Sequence, residues 1–152
     1  MKFKPIHVLI PALYMIARIN IKTKYDDLIK IISNDHGNNH HLVKAIIKVE
    51  SNFRTLAHNT KGEDSRGLGQ INAPTAIALG VTDLDSLFKP EINIVVMNQL
   101  LTDLKKRYQT TQDIIAAYNA GKVRMTKKGY YRNTTYVLNV YSRFIAYSIL
   151  DV

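Results

Sequence analysis

Apolar residues recur every third or fourth position along most of this chain, and that spacing leaves little room for anything but helices. The clearest case is residues 42–53, LVKAIIKVESNF, where Leu42, Ala45, Ile46, Val49 and Phe53 form one apolar stripe. Residues 25–33 place Leu28, Ile29 and Ile32 on one face, and the polar run 34–39 breaks the pattern. Pro74 opens a short helix closed by Gly80, the usual order of a proline near the start and a glycine past the end. Pro90 begins or precedes the longest helix, which lines up Met97, Leu100, Leu101, Leu104 and Tyr108. Thr110 or Thr111 is placed to cap residues 112–120, and Gly121 to end them in a left-handed residue. A last helix over 135–150 is expected to bury Val137, Val140, Tyr141, Phe144 and Ser148. Strand-like alternation is nowhere convincing, with room only for a small hairpin around Gly129. The predicted class is all-α.

With 152 residues, 46% of them hydrophobic, and only four prolines, the chain suits one ordered domain with a real core. It has no cysteine, which excludes a disulfide framework, a thiol nucleophile and a thiolate metal site. Residues 1–21 stand apart. Lys2 and Lys4 precede an apolar run, IHVLIPALYMIA, at 6–17. That run is shorter than the ~20 residues a membrane-spanning helix needs. It reads as a secretory leader, an uncleaved anchor or a packed first helix, and any membrane association would run through it. Residues 22–152 then form the single domain.

The formal net charge of +9 favours a polyanionic partner: nucleic acid, anionic lipid or an anionic wall polymer. The most basic stretch, KVRMTKKGYYR at 122–132, comes closest to the basic and aromatic mixture of a nucleic-acid surface. It reads more simply as a solvated basic loop, and nucleic acid is not the expected partner.

Helices of this kind normally keep acids away from the apolar stripe. Glu50 lies beside it, next to Val49 and near the helix C-terminus. Burial and the negative end of a helix both disfavour a carboxylate, so its pKa should rise. A carboxyl kept protonated near neutral pH suits a general acid. On helix position alone, an ordinary glutamate at the stripe edge fits as well. Further along, Gly67-Leu68-Gly69-Gln70 joins backbone that can approach a ligand closely to an amide that donates and accepts. Ala116-Ala117-Tyr118-Asn119-Ala120-Gly121 sets a tyrosine and an asparagine at a helix C-terminus among small residues. His36 and His40 are four apart, the spacing of a helical metal pair, but Gly37, Asn38 and Asn39 interrupt the helix, so surface or capping histidines are the simpler reading.

These segments, in this order, resemble the soluble lytic transglycosylase family. Val49-Glu50-Ser51-Asn52-Phe53 corresponds to its acidic helix end, and Gly67-Leu68-Gly69-Gln70-Ile71 to its GLMQ segment. Residues 87–94, LFKPEINI, are similar to its LFDPExNI stretch, residues 117–121 to AYNAG, and Tyr136-Val137 with Val140 to its closing YVxxV helix. The resemblance covers roughly residues 25–144. Gly69 stands where the family has a methionine lining the sugar groove, and the loop from Glu50 to Gly67 is slightly longer than usual.

The resemblance implies a mainly helical, lysozyme-like fold and a single catalytic residue, Glu50, acting as both acid and base on peptidoglycan glycan strands. It implies no cofactor and no metal. It makes Tyr118 a neighbour of Glu50 or of the substrate acetamido group. Gln70 and Asn119 become groove or loop-fixing residues, and Ser65 a hydroxyl that bonds the acetamido group or orients the sugar. Tyr136 either closes the groove or belongs to the core. Ser51 reads as local hydrogen bonding at the helix end rather than a nucleophile, since no histidine base accompanies it. The expected setting is the cell envelope after export, with a secretion apparatus or a phage particle as alternative contexts. A hydrolytic muramidase on the same fold would need a second carboxylate, for which Glu63 and Asp64 are available. A non-catalytic wall-binding module would have no use for a buried acid.

Overall fold

The computed structural model describes residues 22–151, so the expectation for 1–21 lies outside the described residues. Helix α1 (Asp26–Asp35) is anchored at its start by Thr23, whose hydroxyl donates to Asp26 at 2.6 Å. Asp26 also holds the Lys44 Nζ at 3.0 Å and so ties α1 to the next helix.

That next helix, α2 (His40–Glu50), is the axis of the molecule. Asn39 caps it by accepting from the His41 N–H at 3.0 Å. Every residue from His41 to Ile47 is buried, a helix covered nearly all round. It carries Glu50 outward from the core as its final residue.

A three-stranded antiparallel sheet follows, made of two-residue strands β1 (His58–Asn59), β2 (Ser65–Arg66) and β3 (Ile71–Asn72). Ser65 pairs with Asn59 on one side and Asn72 on the other. Asn72 then caps α3 (Ala73–Ala78) by accepting from the Thr75 N–H at 2.9 Å. A 3-10 turn at Leu84–Phe88 leads into α4 (Pro90–Arg107). Thr110 caps α5 (Thr111–Ala120) through the Asp113 N–H at 3.1 Å, and Gly121 ends it at φ +72°. Helix α6 (Thr134–Leu150) lies along α2 and α5 and closes the domain. Between α5 and α6 the chain forms a narrow hairpin around Gly129, bridged at Met125 and Tyr131.

Three expectations need correction. The sheet leaves no mark in the sequence, because strands of two residues are too short to show alternation. The helix expected over 42–53 starts earlier and stops at Glu50, since Asn52 and Phe53 turn left-handed at φ +51° and +63°. On α6 the buried residues are Val137, Val140, Ala146 and Tyr147, whereas Ser148 is exposed. Tyr141 and Phe144 are half-buried at the edge of that face. Among the described residues no helix is long and apolar enough to cross a membrane.

Candidate active site

The abrupt end of α2 is what presents Glu50. Ser51 is buried and returns its hydroxyl to the Ile47 carbonyl at 3.3 Å, as a helix-end residue does. The next two residues hold left-handed backbone conformations that non-glycine residues rarely adopt, and for Phe53, with its bulky side chain, this is strain of ~1–3 kcal/mol. Surrounding contacts hold the turn in place. Lys48 Nζ donates to Asn52 Oδ1 at 2.6 Å, and Arg54 donates through its backbone N–H and Nε to the Ser51 carbonyl at 3.2 and 3.1 Å.

Tyr136, near the start of α6, donates its hydroxyl to Glu50 Oε1 at 2.5 Å. Among the described residues no cation pairs with Glu50. Burial pushes its carboxyl up to about 7, against the opposing pull of the Tyr136 hydrogen bond, which favours the charged form. Near neutral pH both its protonated and its ionised forms are therefore accessible. Both flanking phenols stay neutral. Tyr118 and Tyr136 are held well above the ordinary tyrosine value, first by burial and then by the negative charge of Glu50.

Tyr118 reaches the opposite wall. Its hydroxyl donates to the Gly69 carbonyl at 2.9 Å, joining α5 to the loop between β2 and β3. Gly69 in turn donates its N–H to Asn93 Oδ1 at 2.8 Å. The Asn93 amide nitrogen donates to the carbonyls of Arg66 and Leu87 at 2.9 and 2.8 Å. Asn93 is fully buried with its amide satisfied on both sides, and it fixes the loop against α4. Sequence reasoning placed this asparagine inside a motif but gave it no role. The signal available was a polar residue set on the buried face of a helix.

The loop needs its glycines for space. At Gly67, φ is +75° and a Cβ would lie 2.1 Å from the Leu87 carbonyl oxygen. At Gly69 a Cβ would lie 2.4 Å from the Met97 Cγ and Sδ atoms, and 2.8 Å from the Tyr118 hydroxyl. The residue expected to be a groove-lining methionine is thus a glycine against which a buried methionine packs from α4.

The remaining sequence-derived residues divide by what their polar atoms do. Gln70, left-handed at φ +48°, donates its side-chain amide to the Ala57 and Gly67 carbonyls, both at 3.0 Å. Asn119 Oδ1 accepts from Asn133 Nδ2 at 2.9 Å, which also donates to the Ala116 carbonyl at 3.0 Å. These two amides fix loops. The Ser65 hydroxyl donates locally to the Glu63 carbonyl at 3.3 Å, so no described bond joins it to Glu50. Tyr118 and Tyr136 are the two that gather with Glu50.

The spare carboxylates are also engaged elsewhere. Asp64 Oδ2 accepts from Arg66 at 2.6 Å, and its Oδ1 lies 2.7 Å from His58 Nε2. Arg66 first, and His58 second, hold its pKa down at about 2. Glu63 accepts from Asn72 at 2.7 Å. For a metal, the described residues bring together His40, His41 and Asp151, with ligand atoms within 4.8 Å of one another. His40 opens α2 and Glu50 ends it, about 15 Å away at the rise of a helix. His36 caps the end of α1, on a different helix from His40.

Residues 27–137 match the family model described as the transglycosylase SLT domain. The chain belongs to this family. Its curated relatives include the invasion protein IagB of Salmonella typhimurium and of Salmonella typhi. Each is 32% identical over 85 residues, which cover 53% of this chain and 53% of the relative. The chain thus matches about half the length of these relatives. Among solved structures, the SLT domain resembles the 70 kDa soluble lytic transglycosylase of Escherichia coli, with TM-score 0.71 and 20% identity over 86% of this chain and 25% of that one. It also resembles an inactive glutamate-to-glutamine mutant of the lytic transglycosylase Slt from Pseudomonas aeruginosa, with TM-score 0.69 and 19% identity over 88% of this chain and 25% of that one. At such identities the likeness bears on the fold, which is the lysozyme-like one expected.

Proposed function

We propose that the protein is a peptidoglycan lytic transglycosylase that cleaves the β-1,4 bond between N-acetylmuramic acid and N-acetylglucosamine without consuming water. The observation that carries this reading is Glu50 itself: a carboxyl held near 7 by burial, touched by a neutral tyrosine, with Glu63 and Asp64 committed to other partners. The inactive mutant of the Pseudomonas neighbour, a glutamate exchanged for glutamine, adds support from a protein of the same fold.

Protonated Glu50 gives its proton to the glycosidic oxygen as the bond to the muramic C1 breaks, and the N-acetylglucosamine end leaves with a free hydroxyl. The substrate's own acetamido carbonyl stabilises the electron-poor C1, a route outside the two-carboxylate scheme. Glu50, now ionised and receiving the Tyr136 hydrogen bond, removes the proton of the muramic C6 hydroxyl. That oxygen bonds to C1, the 1,6-anhydro ring closes, and Glu50 is again protonated. One carboxyl near neutral pKa serves both half-steps, because the same group must be acid first and base second.

Gln70 and Asn119 act here by shaping the groove, and Ser65 is left as the weakest of the substrate contacts. We place the protein in the cell envelope after export, because its substrate lies there. Glycan strands are its partner, and a secretion apparatus or phage particle remains the wider context of the proposal.

Product analysis by mass spectrometry tests the reaction. Digests of purified peptidoglycan should contain anhydro-muramic ends with the wild type and none with Glu50→Gln. Reducing-end muramic acid without the anhydro product would sink the proposal and favour the muramidase. A wild type inert on purified sacculi would favour a binding module.

A further inference from the structure

The hairpin between α5 and α6 holds a charge pattern that the proposed chemistry does not use. Residues 122–132 contain five cations, Lys122, Arg124, Lys127, Lys128 and Arg132, and no acid. All five are exposed, as is Tyr130 near the tip, at 64%. Among the described residues, none of the five forms an ion pair. Clustering like charges without counter-ions raises the energy of the folded state through self-repulsion, and an anionic partner would relieve it.

The hairpin is also held in shape. Arg132 donates its backbone N–H to the Arg124 carbonyl, and Thr126 to that of Tyr130, both at 2.8 Å. Its base is pinned to α5 by Tyr131, whose hydroxyl donates to Asp113 at 2.8 Å, and by the Asn133 bond to Asn119. That acid is thereby bound to the hairpin's phenol. The hairpin springs from the residues just past Tyr118 and returns to the chain just before Tyr136, the two tyrosines gathered at Glu50.

From this placement we infer that the hairpin is a cationic arm that binds the carboxylates of the peptide stems on the glycan strand. The inference rests on the proposed peptidoglycan substrate. In that polymer the stem hangs from the lactyl group of muramic acid, one of the two sugars flanking the bond at Glu50. Stem carboxylates therefore accompany every peptide-bearing strand that reaches the site. Lysine and arginine heads standing in water suit them, since rim charges contribute to encounter and selection more than to raw affinity. The arm makes the protein selective for peptide-bearing strands over naked glycan.

The test compares the full chain with a variant carrying Lys122→Gln, Arg124→Gln, Lys127→Gln and Lys128→Gln, all exposed positions. Two substrates are used: stem-bearing sacculi, and strands stripped of peptide by an amidase, which keep only the lactyl carboxylate that the cleavage frees. Turnover gives KM and kcat, and co-sedimentation gives binding independent of cleavage. The wild type should prefer stem-bearing strands by about tenfold in KM and in sedimentation, the combined effect of several exposed ion pairs. In the variant that preference should fall to within about twofold, and in the wild type it should fade as salt rises. A preference retained by the variant overturns the inference, as does a wild type indifferent to the stems. Loss of salt-sensitive DNA binding in the variant with its wall preference intact also overturns it, and assigns the arm to nucleic acid. If the wild type cleaves neither substrate, the reaction proposed above fails, and sedimentation alone decides whether the arm binds stems.

Discussion

Tyr136 donates its hydroxyl to Glu50 Oε1 at 2.5 Å, joining residues 86 positions apart in the chain. The bond favours the ionised acid while burial favours the neutral one, and the balance leaves Glu50 at about 7. Removing the hydroxyl by Tyr136→Phe should therefore raise the Glu50 pKa further. The alkaline limb of the kcat/KM profile on glycan strands should move to higher pH, and the maximum should fall by about tenfold or more. An unmoved limb would show that this bond does not set the acid.

Glu50→Gln separates chemistry from stability. Under the proposed mechanism Glu50 supplies both proton transfers, so its loss should lower turnover by ~10²–10⁴-fold. Stability should move the opposite way. A carboxyl whose folded pKa is raised binds its proton more tightly when folded, so its contribution is intact below about 4.5 and is lost as pH rises toward 7. The glutamine has no such loss. Its advantage over wild type in denaturant unfolding should be near zero at pH 4 and grow to at most about 3 kcal/mol at pH 8. Equal stabilities at both pH values would contradict the burial of Glu50 as its dominant influence.

How far this site could be read from sequence depends on where each residue's partner lies. Leu42, Ala45 and Ile46 announce α2, because a stripe of period 3.6 is a local property. The end of that helix escapes the pattern for the same reason: Phe53 continues the period although the backbone has already left the helix at Asn52. Gln70 and Asn119 are visible as motif residues. Their amides are spent on Ala57 and Asn133, contacts that no local pattern encodes. Glu50 could be picked out beside its stripe, and the upward push of burial with it, but the opposing hydrogen bond comes from Tyr136, which arrives from the far end of the domain.

Met97 occupies the space a side chain at Gly69 would need, since a Cβ there would fall 2.4 Å from its Cγ and Sδ atoms. Gly69→Ala should overpack the loop and cost ~1–3 kcal/mol, measured by chemical denaturation. Combining it with Met97→Ala should recover part of that loss, so that the double-mutant cycle shows a coupling of about 1 kcal/mol or more. Strict additivity would mean that the two side chains do not compete.

Losing Asn93 should cost the fold heavily, because its buried amide holds three backbone groups. Asn93→Leu strands the Gly69 N–H and the Arg66 and Leu87 carbonyls in a buried place. Each orphaned group costs ~1–3 kcal/mol, so a loss of about 3 kcal/mol or more is expected in thermal or denaturant unfolding. A loss below about 1 kcal/mol would mean that the loop finds other partners.

Asp64 offers the cleanest separation from a hydrolytic mechanism. If it positioned water, Asp64→Asn would lower turnover by a hundredfold or more, the scale on which a general base acts. Its carboxylate is instead shared between Arg66 and His58, and is held so acidic, at about 2, that it makes a weak base. Asp64→Asn is expected to keep turnover within about threefold and to leave the anhydro product unchanged, since the remaining loop bonds run through Gln70 and Asn93. Whatever stability Asp64 provides is present above its unfolded value near 3.8 and fades only as pH falls toward 2, so the comparison at neutral pH reads chemistry. A collapse of turnover in Asp64→Asn without unfolding would move the second carboxylate of a muramidase onto this residue.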